Sequence, residues 1–193
     1  MVERATIEPS TFGPSTLDAA GDPANGPGED GLHDNGGNRD GILRTGMTVL
    51  GSWAVGNIAS GLTGMAIADD PANRGFWEMN AMWNTVNLGI AAWSLYDLWR
   101  SPSDMMDLGE YREESHSLEK VLLFNAGLNV AYMAVGGWMW DRGARGEGLA
   151  AGDISSERLT GWGQSMVMQG AFLLAFDLTM ARIVAGDRSR TAP

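Results

Sequence analysis

The chain has 193 residues, about one domain's worth, with 44% hydrophobic residues, a formal net charge of -11 and a mean hydropathy of -0.13. It contains no cysteine, which excludes disulfides, thiolate metal sites and cysteine nucleophiles. The acidic balance argues against nucleic-acid binding, which needs a basic footprint.

Residues 1–41 carry eight acidic residues and two arginines among Gly, Pro and Asn, with Phe12 as the single aromatic. Such a stretch buries too little apolar area to offset its chain entropy, which predicts a disordered, solvated tail. Met1 to Ala20 lacks the basic start and apolar run of a signal peptide. Membrane entry is therefore expected to be directed by the first long hydrophobic segment.

Four charge-free runs follow: Thr45–Ala68, Met79–Tyr96, Val121–Trp140 and Leu159–Phe176. The first, at 1.5 Å per residue, reaches about 36 Å as a helix, and a bilayer core measures about 30 Å. The charges collect between the runs rather than along one face of each, as the helices of a soluble bundle would have them. The fold class expected is all-α, an up-down bundle of four transmembrane helices at about 42–68, 76–99, 118–140 and 159–185. These make one domain, 42–185, followed by a polar tail, 186–193. A soluble four-helix bundle is the alternative, supported by the three asparagines of the second helix.

The separators read as loops: a tight turn from Asp69 to Gly75, a charged link from Arg100 to Glu119, and a Gly-rich segment from Asp141 to Arg158. Trp77, Trp138, Trp140 and Trp162 fall at helix ends that share one interface of an up-down bundle, and Trp99 marks the other. Arg39, Arg44, Arg100, Arg112, Lys120, Arg182, Arg188 and Arg190 lie on one side, against Arg74, Arg142, Arg145 and Arg158 on the other. That asymmetry predicts a multi-pass protein of the cell membrane with both termini cytoplasmic. The partner expected is the lipid bilayer, with a homo-oligomer or a larger membrane complex as the assemblies left open, and no nucleic acid.

In lipid, helices associate through close backbone approach and interhelical hydrogen bonds. Ser52, Gly56, Ser60 and Gly64 repeat every four residues in the first helix, a stripe expected to serve helix packing. Asn80, Asn84 and Asn87 share one face of the second helix, and Asn125 and Asn129 lie with Tyr132 and Gly136 on the third. With Asn57, Gln169 and Asp177 they suggest a carboxamide network across the bundle core, read first as structural bonding between helices, with a site for a small polar ligand or ion as the alternative.

Asp177, past the middle of the fourth helix, is a functional-site candidate as an intramembrane carboxylate, with a water-reached place near the cytoplasmic interface beside a cation as the alternative. Glu78, at the start of the second helix, is the candidate interfacial acid, with Arg74 as a partner. The two histidines, His33 and His116, lie outside the apolar runs, so neither haem nor zinc is expected, and no metal or cofactor is assigned. No catalytic motif is present, so an enzyme is the least supported reading.

A short internal echo links Gly56-Asn57-Ile58-Ala59 to Leu128-Asn129-Val130-Ala131, and the spacing Trp77–Asn84 to Trp162–Gln169. It hints at two related hairpins.

The pattern Asn80-x-x-Trp83-Asn84-x-x-Asn87, together with Gln169-Gly170-Ala171-Phe172-Leu173-Leu174-x-Phe176-Asp177, resembles an uncharacterised bacterial family with four predicted membrane helices, known as a domain of unknown function. The resemblance spans about residues 42–185. It implies the same fold and topology and carries no activity. Two functions stand ahead of catalysis: a structural, accessory or ligand-binding membrane bundle, and a small oligomeric transporter or channel that uses an intramembrane carboxylate.

Overall fold

The structure, a computed structural model, describes residues 29–101, 108–150 and 153–190. The described residues are all-helical, with four helices: α1 (Glu29–Ile67), α2 (Pro71–Arg100), α3 (Leu108–Ala144) and α4 (Ser156–Arg190). Among the described residues the only extended pairing is an isolated bridge between Leu149 and Ile154, closed by backbone bonds of 3.0 and 3.2 Å.

Each helix is longer than its charge-free run. The tail expected over 1–41 gives way to helix at Glu29, and residues 1–28 lie outside the described residues. Helix α2 begins at Pro71, five residues before the expected boundary. Asp70 caps it by accepting the Asn73 amide at 2.8 Å, and proline at the first helical position has no amide to lose. The charged link expected after Arg100 is helical from Leu108, with residues 102–107 outside the described set. Helix α4 runs on to Arg190, through most of the expected polar tail.

These polar extensions are held by one another. The Tyr111 hydroxyl and the Asn38 amide both donate to the Asp187 carboxylate. Arg39 pairs with Glu114 at 2.8 Å and Arg188 with Glu119 at 2.7 Å. Charges that read as loop are thus a collar joining the start of α1, the start of α3 and the end of α4.

The contacts fix the directions of the helices. A Cβ added at Gly61 would meet Ala81, and one added at Gly51 would meet Ala91, so α1 and α2 run antiparallel. Gly136 against Met166 and Gly170 against Met133 make α3 and α4 antiparallel as well. Gly161 meets Ala72 and Gln169 meets Asn80, two pairs with the same numerical offset, so α2 and α4 are parallel. The bundle is therefore two hairpins joined along α2 and α4, with α1 and α3 outside. The backbones of α2 and α3 do not approach within 8 Å.

Two apolar clusters lie towards the two ends. Met79, Met139, Leu159 and Met166 form one, closed over by Leu149 and Ile154 of the α3–α4 loop. Leu122, Met180, Ala181 and Val184 form the other, with Ile42, Leu118 and Phe176 against it. Between them, from Met166 to Met180 on α4, the buried interior is polar.

The expectation of four transmembrane helices is narrowed. Two helices are long and apolar enough to cross a membrane, Gly109–Ala144 and Ser156–Arg190. Asn80, Asn84 and Asn87 hold the average of α2 down, as Asn57 and the many Gly, Ser and Thr residues do for α1.

Candidate functional site

Gln169 is the hub of the polar interior and is fully buried. Its side-chain oxygen accepts the Trp53 indole N–H at 3.0 Å. Its side-chain nitrogen donates to the Asn80 carboxamide oxygen and, at 3.4 Å, to that of Asn57. Asn80 in turn donates to the Asn57 backbone carbonyl at 3.1 Å, and Asn57 to the Trp53 carbonyl at 2.8 Å. Asn84 donates to the Asn80 carbonyl at 2.8 Å, and Asn87 to the Asn84 side-chain oxygen at 3.4 Å. One glutamine thereby joins α1, α2 and α4. A buried carboxamide without partners is costly; here Gln169 and Asn80 bond across helices, whereas Asn57, Asn84 and Asn87 donate within their own helix.

Asn129 and Asp177 form a second polar unit. The Asn129 amide donates to Asp177 Oδ2 at 2.7 Å, and the carboxylate is 6% exposed. None of the ion pairs among the described residues includes Asp177. Both residues face a cavity of about 530 Å³ in the gap between α2 and α3. Asn87 reaches it from α2, and Asn125 lines its α3 wall. Trp83 and Tyr132 meet edge to face across it, 4.9 Å between ring centroids at 83°.

Asn57, Asn80, Asn84, Asn87 and Gln169 thus meet in one network, and Asn129 and Asp177 in an adjoining one. Asn125 is exposed in the single chain and joins neither set of bonds. It is about 60° around the helix from the buried line of α3, which runs through Leu122, Ala126 and Asn129. Tyr132 is likewise on the outer side of that line.

The small-residue stripe lies differently from the expected packing face. Ser52, Gly56 and Ser60 are exposed, and a Cβ on Gly56 would meet nothing within 4 Å. Of its two glycines, Gly64 alone presses on α2, against Trp77. The reason is helical geometry: at about 100° per residue, a strict four-residue repeat drifts by about 40° per step. The face that stays in contact alternates steps of four and three, namely Leu50, Ala54, Asn57, Gly61 and Gly64.

Glu78 stands at the far end of the bundle, away from Asp177. It pairs with Arg158, not Arg74, through both carboxylate oxygens, and accepts the Trp162 N–H at 3.3 Å. Arg158 also lies over the Trp162 ring, 4.9 Å from its centroid.

Trp53 and the buried Ser165 escaped the sequence reading, and Trp83 entered it only as part of the family pattern. A signal existed for Trp53: an indole deep in a charge-free run and four residues before an asparagine belongs to the interior, not to an interface belt. Among the described residues no group of three or more His, Cys, Asp or Glu side chains could hold a metal ion.

No curated protein and no solved structure matches the chain. Residues 49–178 match the sequence profile of DUF6992, a family of unknown function. The matched stretch begins later and ends earlier than the 42–185 expected from the resemblance, and it contains every residue of both polar units. Two-thirds of the sequence is covered, and the chain belongs to this DUF6992 family.

Proposed function

We propose that this protein is a multi-pass membrane bundle of four transmembrane helices, without enzymatic activity, that holds a small ligand in its polar centre. The observation that carries the reading is an inverted distribution of polarity. Gln169, Asn80, Asn84, Asn129 and Asp177 are buried, while Leu62, Val86, Ile90, Phe124 and Ile183, drawn from all four helices, point outward. In water such a surface would be a liability over far more than a few hundred Å². In lipid it is the expected arrangement, because amides have no alternative partner there.

Three features support the four-span form. The helices are 39, 30, 37 and 35 residues long, each more than the roughly 20 residues that cross a bilayer core. Trp93 and Trp99 stand exposed near one end, and Trp138 and Trp140 near the other. The charged collar lies beyond the apolar band. The arginine asymmetry puts the collar, with both termini, on the cytoplasmic side of the cell membrane.

Alkaline carbonate extraction tests the reading. The chain is expected to remain with the bilayer and to need detergent for release. A monodisperse chain in plain buffer would remove the membrane reading altogether.

Asp177 favours a second reading, a small oligomeric transporter or channel, because an intramembrane carboxylate facing a cavity is the usual place for a coupling ion. Cation flux into liposomes, lost in Asp177→Asn, is its expected signature. Equal flux in both chains would discard it.

A further inference from the structure

The gap between α2 and α3 has chemistry that selects a ligand. Its floor is Asp177, with Asn129 donating at 2.7 Å and Asn87 beside them. Its walls are Trp83, Tyr132 and Phe176, with aliphatic residues between. Towards the collar it shares Met47, Leu118 and Val121 with a wider cavity of about 1110 Å³. That outer cavity is lined by Asp97, Glu110, Glu113 and Glu114, against the single guanidinium of Arg39. The groove is thus negative at its mouth, apolar and aromatic along its sides, and carboxylate at its floor.

We propose that the α2–α3 groove binds a hydrophobic organic cation, an amine or quaternary onium group on an apolar body, with its positive charge against Asp177. This rests on the reading of the chain as a ligand-holding membrane bundle and names the class of ligand.

A carboxylate in a low-dielectric interior either takes up a proton or is held by a counter-charge, and the described ion pairs supply none. A hard metal cation needs about six oxygen ligands, whereas this cavity offers one carboxylate, three carboxamides and a phenol among apolar walls. An acyl chain would satisfy the walls and leave the carboxylate facing hydrocarbon. An onium group satisfies both, because indole and phenol rings attract cations over their faces. The cavity volume falls in the ordinary range for small-molecule sites, about 300–1,000 Å³. The backbones of α2 and α3 stay apart along this gap, which leaves a route for a molecule dissolved in the bilayer beside the Trp83–Tyr132 ring contact.

The test uses the full chain in nanodiscs of zwitterionic lipid and radiolabelled tetraphenylphosphonium, with tetraphenylborate as the anion of like shape. Saturable binding of the phosphonium is expected, weakened at least tenfold by Asp177→Asn and by Trp83→Ala, and unchanged by Glu78→Gln at the far end. Tetraphenylborate should not compete. Should Asp177→Asn fail to fold, the unmutated chain decides: phosphonium should slow carbodiimide modification of Asp177, read by mass spectrometry. Absence of saturable binding, equal competition by the borate, or an unchanged modification rate would each overturn the proposal. Those outcomes leave the membrane reading standing, since that reading fails earlier, if the chain never enters nanodiscs.

Discussion

Trp53 on α1 donates its indole N–H to Gln169 on α4 at 3.0 Å, and the ring of the same tryptophan stacks on Phe172 at 3.8 Å and 7°. The two hairpins are joined along α2 and α4, and this pair with its neighbouring ring adds a direct tie from α1 to the middle of α4. The pair also sets the side-chain orientation of Gln169, and through it the bonds to Asn57 and Asn80.

Gln169→Leu should therefore be the most damaging of the polar substitutions. It removes partners from the Trp53 N–H and the Asn80 oxygen at once, both inside the bundle. A loss of about 1–3 kcal/mol is expected, the lower end reflecting the modest value of single hydrogen bonds between membrane helices. Thermal unfolding in a mild detergent measures it. Stability equal to the unmutated chain would mean that the network does not hold the helices.

Two glycines separate packing from propensity. A Cβ on Gly161 would collide with the Ala72 carbonyl and the Phe76 amide, both backbone atoms that cannot turn aside. Gly161→Ala should cost about 1–3 kcal/mol and lower the melting temperature, because α2 must move off α4. Gly56→Ala, with open space around it, should be neutral or stabilising by up to about 1 kcal/mol, since alanine is the better helix former. Equal melting shifts for the two would contradict the α2–α4 contact.

The collar should show itself at alkaline pH. Burial, reinforced by the hydrogen bond to Asp187 and its negative charge, pushes the Tyr111 phenol up to about 12 from an ordinary 10. The neutral phenol is the form that the fold favours. Its contribution is whole below about pH 10, where the unfolded chain keeps the proton too, and is lost as pH rises through about 12. Tyr111→Phe should flatten that part of the stability curve relative to the unmutated chain. Parallel curves from about pH 10 to 12 would show that the phenol is not the group responsible.

Glu78 and Arg158 form a two-pronged pair, yet their side chains are 34% and 45% exposed. Solvent screening limits such a pair to below about 1 kcal/mol. Glu78→Gln should thus shift melting less than Gln169→Leu, and the shift should shrink further as salt is raised. A larger effect for Glu78→Gln would place the main polar anchor at the wrong end of the bundle.

The sequence by itself determined the four helices and the polar face of α2, and it singled out Asp177 as a candidate without deciding its burial. It could do so because charge-free runs and helical spacing are local properties: Asn80, Asn84 and Asn87 fall on one face whatever surrounds them. Which face of α1 meets α2 was decided by tertiary packing, since Ser52, Gly56 and Ser60 form as regular a stripe as Leu50, Ala54, Asn57 and Gly61, of which Asn57 is half-buried and the rest buried. Tertiary structure also turned the charged segments around Glu114 and Asp187 into helix, because their partners lie more than 70 residues away in the chain. It alone opened the space between α2 and α3 and put Asn129 against Asp177. A cavity is the absence of contact between elements, and local pattern carries no record of where two helices fail to meet.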